Sequence, residues 1–201
     1  MKLFTTFSIF VLLNIVSSAQ PLATLDSSAV QIARKHLRQL KSGVVLVRLH
    51  TQENKIKHYL KYGNRRAAMK AQQEQSEKNK RVFEAFNAFF DFTEVYFFYS
   101  HHSTQVKNRE FDAGYFLNGE MEEDPTVSLS NTKYVYVIDV GDVFFDSFGT
   151  HMKGIVVMTT DFKPLEKPFP YYVRRRAGLK ILERSDAELV QKLNEELHDF
   201  R

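Results

Sequence analysis

The 201-residue chain contains no cysteine and no tryptophan, and it has only 5 prolines and 8 glycines. The absence of cysteine excludes a disulfide framework, a cysteine nucleophile, a CxxC redox pair and any cysteine-ligated zinc or iron–sulfur centre. It also excludes the lipidated cysteine of a bacterial lipoprotein anchor. With 43% apolar and 26% charged residues, the chain has the composition of a globular protein, which excludes a wholly disordered or collagen-like one.

Long apolar runs are missing everywhere except at the N-terminus. Lys2 is followed by a mostly apolar stretch from Leu3 to Val16, and small residues from Ser17 to Ala19 form a cleavage site. This pattern predicts a secretory signal peptide over residues 1–19 and an exported, periplasmic or secreted mature chain of residues 20–201. The alternative is a membrane anchor. Because the run is shorter than the roughly 20 residues that a bilayer requires, we expect a mature chain that does not span the membrane.

The apolar patterns after the signal peptide predict a single α/β domain. Helices are predicted from about Ser27 to Gly43, over 53–90 with a break near Gly63, over 103–107, and from the Ser185-x-x-Glu188 capping box to Phe200. Strands are predicted at 44–49, 95–99, 114–117, 134–140, 155–160 and, at an edge, 171–173. Strands separated by helices predict a mixed sheet with parallel central strands, flanked by helices that include a charged hairpin.

Three aromatic segments carry a resemblance to known proteins. Val95-Tyr96-Phe97-Phe98-Tyr99-Ser100, Phe116-Leu117-Asn118 and Pro168-Phe169-Pro170-Tyr171-Tyr172-Val173 resemble a family of exported bacterial proteins without an assigned activity. This resemblance implies bacterial export and transfers no site residue. The strand–helix order is also distantly similar to thioredoxin-like domains, with Pro170 in the place of their cis-proline. Without cysteine, that similarity concerns shape alone.

Charge is segregated along the chain. Residues 55–81, here called the basic arm, contain nine Lys and Arg but only two Glu, whereas residues 110–124 contain six acidic residues and no basic one. A basic helical arm can dock on a protein partner or on an anionic envelope surface, which predicts a non-enzymatic binding module. The alternative is a solvated helix face. The predicted contact residues are Lys57, Lys61, Arg65, Arg66 and Lys70. Because the whole chain carries a net charge of only +4 and is expected to be exported, nucleic acid is not a predicted partner.

Polar residues follow three of the predicted strands, and ligands of parallel α/β sheets bind at such strand ends. His50, the pair His101-His102 and Glu120 lie at these positions. Imidazole and carboxylate ligands suit zinc or related ions, so these four residues are a candidate metal site. The spacing matches neither HxH nor HExxH, and solvated loop histidines are the alternative; no other cofactor is predicted.

A serine hydrolase is a further possibility at the same strand ends. Ser100 or Ser103 would be the nucleophile, a histidine the base and an aspartate the orienting acid. The available partners are His101, His102, His151, Asp139 and Asp142. Since the chain has no G-x-S-x-G elbow, the sequence leaves open whether the protein is an enzyme.

Overall fold

Five strands and five α-helices make up the described part of the chain. The computed structural model describes residues 27–145, 150–176 and 183–200, so the predicted signal peptide lies outside the described residues. The strands are β1 (Val44–Leu49), β2 (Glu94–Tyr99), β3 (Val135–Phe145), β4 (Thr150–Met158) and β5 (Tyr172–Arg174). The helices are α1 (Ser27–Lys41), α2 (Glu53–Lys61), α3 (Arg65–Phe89), α4 (Ser103–Asn108) and α5 (Asp186–Asp199), with a 3-10 turn at Ser100–His102.

The strands form one mixed sheet in the order β2-β1-β3-β4-β5. The central strand β1 is parallel to both β2 and β3, while β4 and β5 are added antiparallel to β3. This confirms the prediction of an α/β domain with parallel central strands and antiparallel additions after residue 130. The parallel strands β1, β2 and β3 therefore end at the same edge of the sheet.

The predicted strand at 114–117 is wrong. Only isolated bridges occur there, between Phe98 and Phe116 and between Leu117 and Glu123. Gly114 has a positive φ and a turn begins at Asn118, so the extended segment is too short for a strand. The third parallel strand is β3 instead, and the hairpin of β3 and β4 is longer than predicted. Among the described residues, the cis peptide bond precedes Pro168, not Pro170.

The two faces of the sheet are covered by different layers. Alternate β1 residues Val45, Val47 and Leu49 pack in one core cluster with residues of α1, α3 and α5. Val44 and Leu46 point the other way and pack with Val106 of α4 and with residues of the 109–132 segment. Because both faces are covered, β1 is apolar almost without interruption, as is usual for a central parallel strand.

The basic arm comprises most of α2 and the first two thirds of α3. Gly63, with a φ of 72°, makes the turn between the helices, and the Asn64 side chain caps α3 by accepting a hydrogen bond from the Ala67 amide. The C-terminal part of α3 buries Val82, Ala85 and Phe86, whereas α2 buries no residue. None of the described helices is both long and apolar enough to cross a bilayer.

Candidate functional site

A buried carboxylate lies near the C-terminal ends of the central strands. Arg48 is the single charged residue of β1, and its register partner on β3 is Asp139. Arg48 Nη1 lies 3.2 Å from Asp139 Oδ2, and His50 Nε2 donates a 2.6 Å hydrogen bond to Asp139 Oδ1. The Asp139 side chain is only 1% exposed. These three residues are called the Asp139 triad below.

The electrostatics of the Asp139 triad favour the ionised carboxylate. Burial alone would raise the pKa of Asp139, but the hydrogen bond from His50 and the charge of Arg48 outweigh it and lower the pKa below its ordinary value. The Arg48 guanidinium also lies over the Phe162 ring, 5.1 Å from its centroid. Asp139 is thus a fixed negative charge that orients His50.

His50 lines two adjoining open clefts, of about 490 Å³ and about 520 Å³. Both clefts are also lined by Thr51 and Glu53. The backbone at His50 is held from α3, because Asn79 Nδ2 donates a 2.8 Å hydrogen bond to the His50 carbonyl and the buried Gln75 donates to Asn79. Polar side chains therefore meet at the strand ends, as expected for this fold class.

A second polar group, here called the histidine cluster, consists of His101, His102 and Glu123. His102 Nε2 lies 2.8 Å and His101 Nε2 lies 3.4 Å from the same oxygen, Glu123 Oε1. Adjacent side chains on a strand would point apart, but the 3-10 turn directly after β2 brings the two rings to a centroid distance of 4.1 Å. Three metal-ligating side chains thus lie together, with one ligand atom of each within 4.8 Å of the other two.

Aromatic residues hold the histidine cluster in place. The His102 ring stacks on the buried Tyr115 ring, with centroids 5.0 Å apart, and His101 stacks on Tyr99 at 5.9 Å. The hydrogen bond from His102 is the main reason that the pKa of Glu123 is lowered, so Glu123 is ionised at neutral pH.

The structure brings together two of the four predicted metal ligands. His101 and His102 converge, whereas His50 is bonded to Asp139, and Glu120 is exposed outside the cluster. Glu123 occupies the place expected for Glu120. The reason is a tight turn in which Asn118 Oδ1 accepts hydrogen bonds from the amides of Glu120 and Glu122, followed by the Leu117–Glu123 bridge.

The structure does not assemble the predicted serine site among the described residues. The Ser100 hydroxyl accepts a hydrogen bond from the Thr51 amide, and the Ser103 hydroxyl donates to the Ser100 carbonyl. Neither serine is hydrogen-bonded to a histidine in the described part of the chain. Asp139 is bonded to His50 instead, and the His151 side chain lies outside the described residues.

The predicted contact residues of the basic arm lie on its exposed surface, near the turn between α2 and α3. Lys57 and Lys70 each pair with an acidic residue of their own helix, at 3.1 Å and 3.7 Å. Lys61, Arg65 and Arg66 have no ion pair among the described residues. Exposed apolar side chains lie among these cations: they are Leu60 (52% exposed), Tyr62 (69%) and Met69 (71%). The sequence analysis did not predict that these apolar residues are exposed, although their position next to the helix break at Gly63 was a usable signal.

Known proteins do not add to this description. No protein-family model, no curated protein and no solved structure matches the chain. A function therefore has to be argued from the chemistry of the basic arm and of the strand ends.

Proposed function

We propose that the protein is a non-enzymatic, exported binding domain that docks on an anionic lipid surface through its basic arm. The observation that carries this proposal is the tip of the arm, residues 57–70. It combines unpaired cations with exposed apolar side chains at the end of α2, which buries none of its residues, and at the start of α3.

Three large apolar side chains at the tip of the arm do not contribute to the core, and this supports a role in binding. An amphipathic helix normally turns its apolar side chains toward the core. Leu60, Tyr62 and Met69 are instead left in water, where their exposure has a free-energy cost. In an interfacial membrane contact, such side chains enter the boundary of the acyl chains while neighbouring cations contact the headgroups.

The chemistry of the cations favours a lipid over an acidic protein. Six of the nine cations of the basic arm are lysines. Lysine is depleted in protein–protein interfaces but is typical of segments that contact anionic headgroups. In addition, residues 54–73 contain no acidic residue that would repel such a surface.

Lys61, Arg65 and Arg66 should provide most of the attraction. Each cation close to an anionic membrane contributes about 1 kcal/mol, so three unpaired cations contribute about 3 kcal/mol, or roughly a hundredfold in affinity. Lys57 and Lys70 should add less because Glu53 and Glu74 already partly neutralise them.

The test is vesicle flotation of the mature chain, residues 20–201, without the apolar signal peptide predicted over residues 1–19. We expect binding to vesicles that contain phosphatidylglycerol, no binding to pure phosphatidylcholine, and release at about 1 M salt, where the Debye length falls to about 3 Å. Five Lys/Arg→Gln substitutions in the arm should weaken binding roughly a hundredfold or more. They are at Lys57, Lys61, Arg65, Arg66 and Lys70.

A matched control removes five exposed cations elsewhere. These are Arg34, Lys35, Lys107, Lys163 and Lys167, each replaced by Gln. Equal binding by the arm variant and this control would refute the proposal, as would absence of binding by the wild-type protein. Binding to polyglutamate without binding to vesicles would also refute it and would assign the arm to an acidic protein partner.

The apolar side chains of the tip allow a second comparison. The triple variant Leu60→Ser, Tyr62→Ser and Met69→Ser should fold normally because all three side chains are exposed. We expect it to bind anionic vesicles more weakly than the wild type while keeping the same dependence on salt. Unchanged binding would contradict insertion of the tip into the lipid.

A further inference from the structure

The histidine cluster has the geometry of a metal centre. We propose that it binds one zinc-class divalent cation through His101 Nε2, His102 Nε2 and Glu123 Oε1. This inference goes beyond lipid docking and uses none of the cations assigned to the arm.

The distances between the three ligand atoms support this proposal. Two ligands that are each about 2.0–2.1 Å from a tetrahedral zinc ion are about 3.3 Å from each other. In the structure, Glu123 Oε1 is 3.4 Å from His101 Nε2 and 2.8 Å from His102 Nε2. All three ligand atoms lie within 4.8 Å of one another, so an ion could be bound once the two imidazole nitrogens move closer together, by at most about 1.5 Å.

The second ring nitrogen of His101, Nδ1, faces another carboxylate. Glu53 Oε1 lies 3.4 Å from His101 Nδ1, on the opposite side of the ring from Glu123. A carboxylate that holds the ring hydrogen on Nδ1 leaves the Nε2 lone pair available to a metal, as in many carboxylate–histidine–zinc arrangements.

The cluster is also preorganised by its neighbours. Tyr115 and Tyr99 stack on the two imidazoles, and the Tyr99 hydroxyl donates a 2.9 Å hydrogen bond to the Met121 carbonyl in the turn that carries Glu123. Little conformational entropy would therefore be lost on binding. His101 and Glu123 are 38% and 43% exposed, so an ion has an entry path from solvent.

The ligand set selects the class of metal. Two imidazole nitrogens and one carboxylate oxygen suit zinc and its first-row neighbours, whereas calcium and magnesium prefer oxygen ligands alone. Three protein ligands leave one tetrahedral position for water or an external ligand.

The test uses the full chain without a histidine tag, treated with a chelator and then titrated calorimetrically with zinc chloride. We expect one zinc per chain, release of protons on binding, and a visible absorption spectrum of tetrahedral Co²⁺ when cobalt replaces zinc. His102→Ala should lower the zinc affinity at least a hundredfold. Glu123→Gln, which keeps the shape of the side chain, should lower it at least tenfold and tests the site even if His102→Ala folds poorly.

The matched controls are Glu120→Gln and His58→Ala, which change exposed residues of the same types outside the cluster. Both should bind zinc as the wild type does. Absence of zinc uptake at equimolar concentration would overturn the proposal. So would uptake that survives Glu123→Gln and His102→Ala together, because such binding would be adventitious.

Discussion

The basic arm and the Asp139 triad both concentrate charge, but they do so in opposite environments. The cations at the tip of the arm, residues 57–70, lie on exposed positions of α2 and α3, and among the described residues only Lys57 and Lys70 of them form ion pairs. Asp139, in contrast, is buried on β3, and its partners are Arg48, in register on β1, and His50, just after the end of β1. Exposed charges contribute little to stability and remain available to a ligand, whereas a buried charge must be paired within the fold.

Glu53 lies where the basic arm meets the histidine cluster. Its carboxylate accepts a hydrogen bond from Lys57 of the arm and lies 3.4 Å from His101 of the histidine cluster. Both contacts lower the pKa of Glu53, with the Lys57 hydrogen bond as the main cause. The surface proposed to bind lipid and the cluster proposed to bind zinc are therefore adjacent, although they are built differently.

The largest expected change in stability distinguishes the buried C-terminal end of helix α3 from its exposed N-terminal end. Phe86 is fully buried, so Phe86→Ala should lower the free energy of unfolding by about 4 kcal/mol through lost burial and a cavity. Met69 is 71% exposed on the same helix, and Met69→Ala should change stability by less than about 0.5 kcal/mol. Urea denaturation measures both. A large loss in Met69→Ala would contradict the description of the tip as a surface outside the core.

Removal of the buried charge should have the next largest effect. Asp139→Asn leaves the Arg48 guanidinium without its counter-charge and should cost about 3 kcal/mol at neutral pH. Asp161→Asn, at an exposed turn position, is the control and should be within about 0.5 kcal/mol of the wild type. A cost as small as that of the control would mean that the Asp139 triad does not support the fold.

The contribution of Asp139 to the free energy of unfolding should depend on pH in a defined direction. The pKa of Asp139 is lowered in the folded state, so its contribution is fully present above the ordinary aspartate pKa of about 3.9. It is lost as the pH falls through the lower folded value. The stability difference between wild type and Asp139→Asn should therefore be constant near neutral pH and shrink below about pH 4. Denaturation curves across this range test it, and a difference that grew on acidification would contradict the paired carboxylate.

The smallest expected effect concerns the aromatic support of the histidine cluster. Tyr115 is 1% exposed and its hydroxyl has no hydrogen-bond partner among the described residues. Tyr115→Phe should keep the stack on His102 and raise the free energy of unfolding by about 1 kcal/mol. Tyr99→Phe removes a hydroxyl that is bonded to Met121 and should lower it by about the same amount. Thermal unfolding of both variants measures this as melting temperatures that move in opposite directions. Equal shifts of the two melting temperatures would contradict the difference between the two hydroxyls.

Much of the fold could be predicted because the local patterns were strong. The apolar strands β1 and β2, the helix break at Gly63 and the Ser185–Glu188 capping box all occur as predicted. The exception is the segment 114–117, whose apolar residues resemble a strand but pack in the core as part of an irregular layer. Apolar pattern indicates burial, and it does not by itself distinguish a strand from a short bridge.

The strand-end residues were harder to predict because their partners come from distant parts of the chain. Arg48 and Asp139 are charged residues within two apolar strands, and this pattern indicates that they could pair. The register that places them side by side cannot be read from the sequence. The choice of Glu123 over Glu120 depends on Met121, which adopts a φ of 62° that its residue type does not favour. Contacts with the rest of the fold, and not the residue type, therefore determine the conformation of this turn.

The short bridge between Phe98 and Phe116 has a consequence for how the protein behaves at high concentration. β2 is an edge strand with the sequence Glu-Val-Tyr-Phe-Phe-Tyr, a composition prone to aggregate through strand pairing. The Leu117 amide donates a hydrogen bond to the Phe97 carbonyl, so this carbonyl of the edge strand is not available to pair with a second molecule. The segment that failed to become a strand thus covers part of the open edge of the sheet.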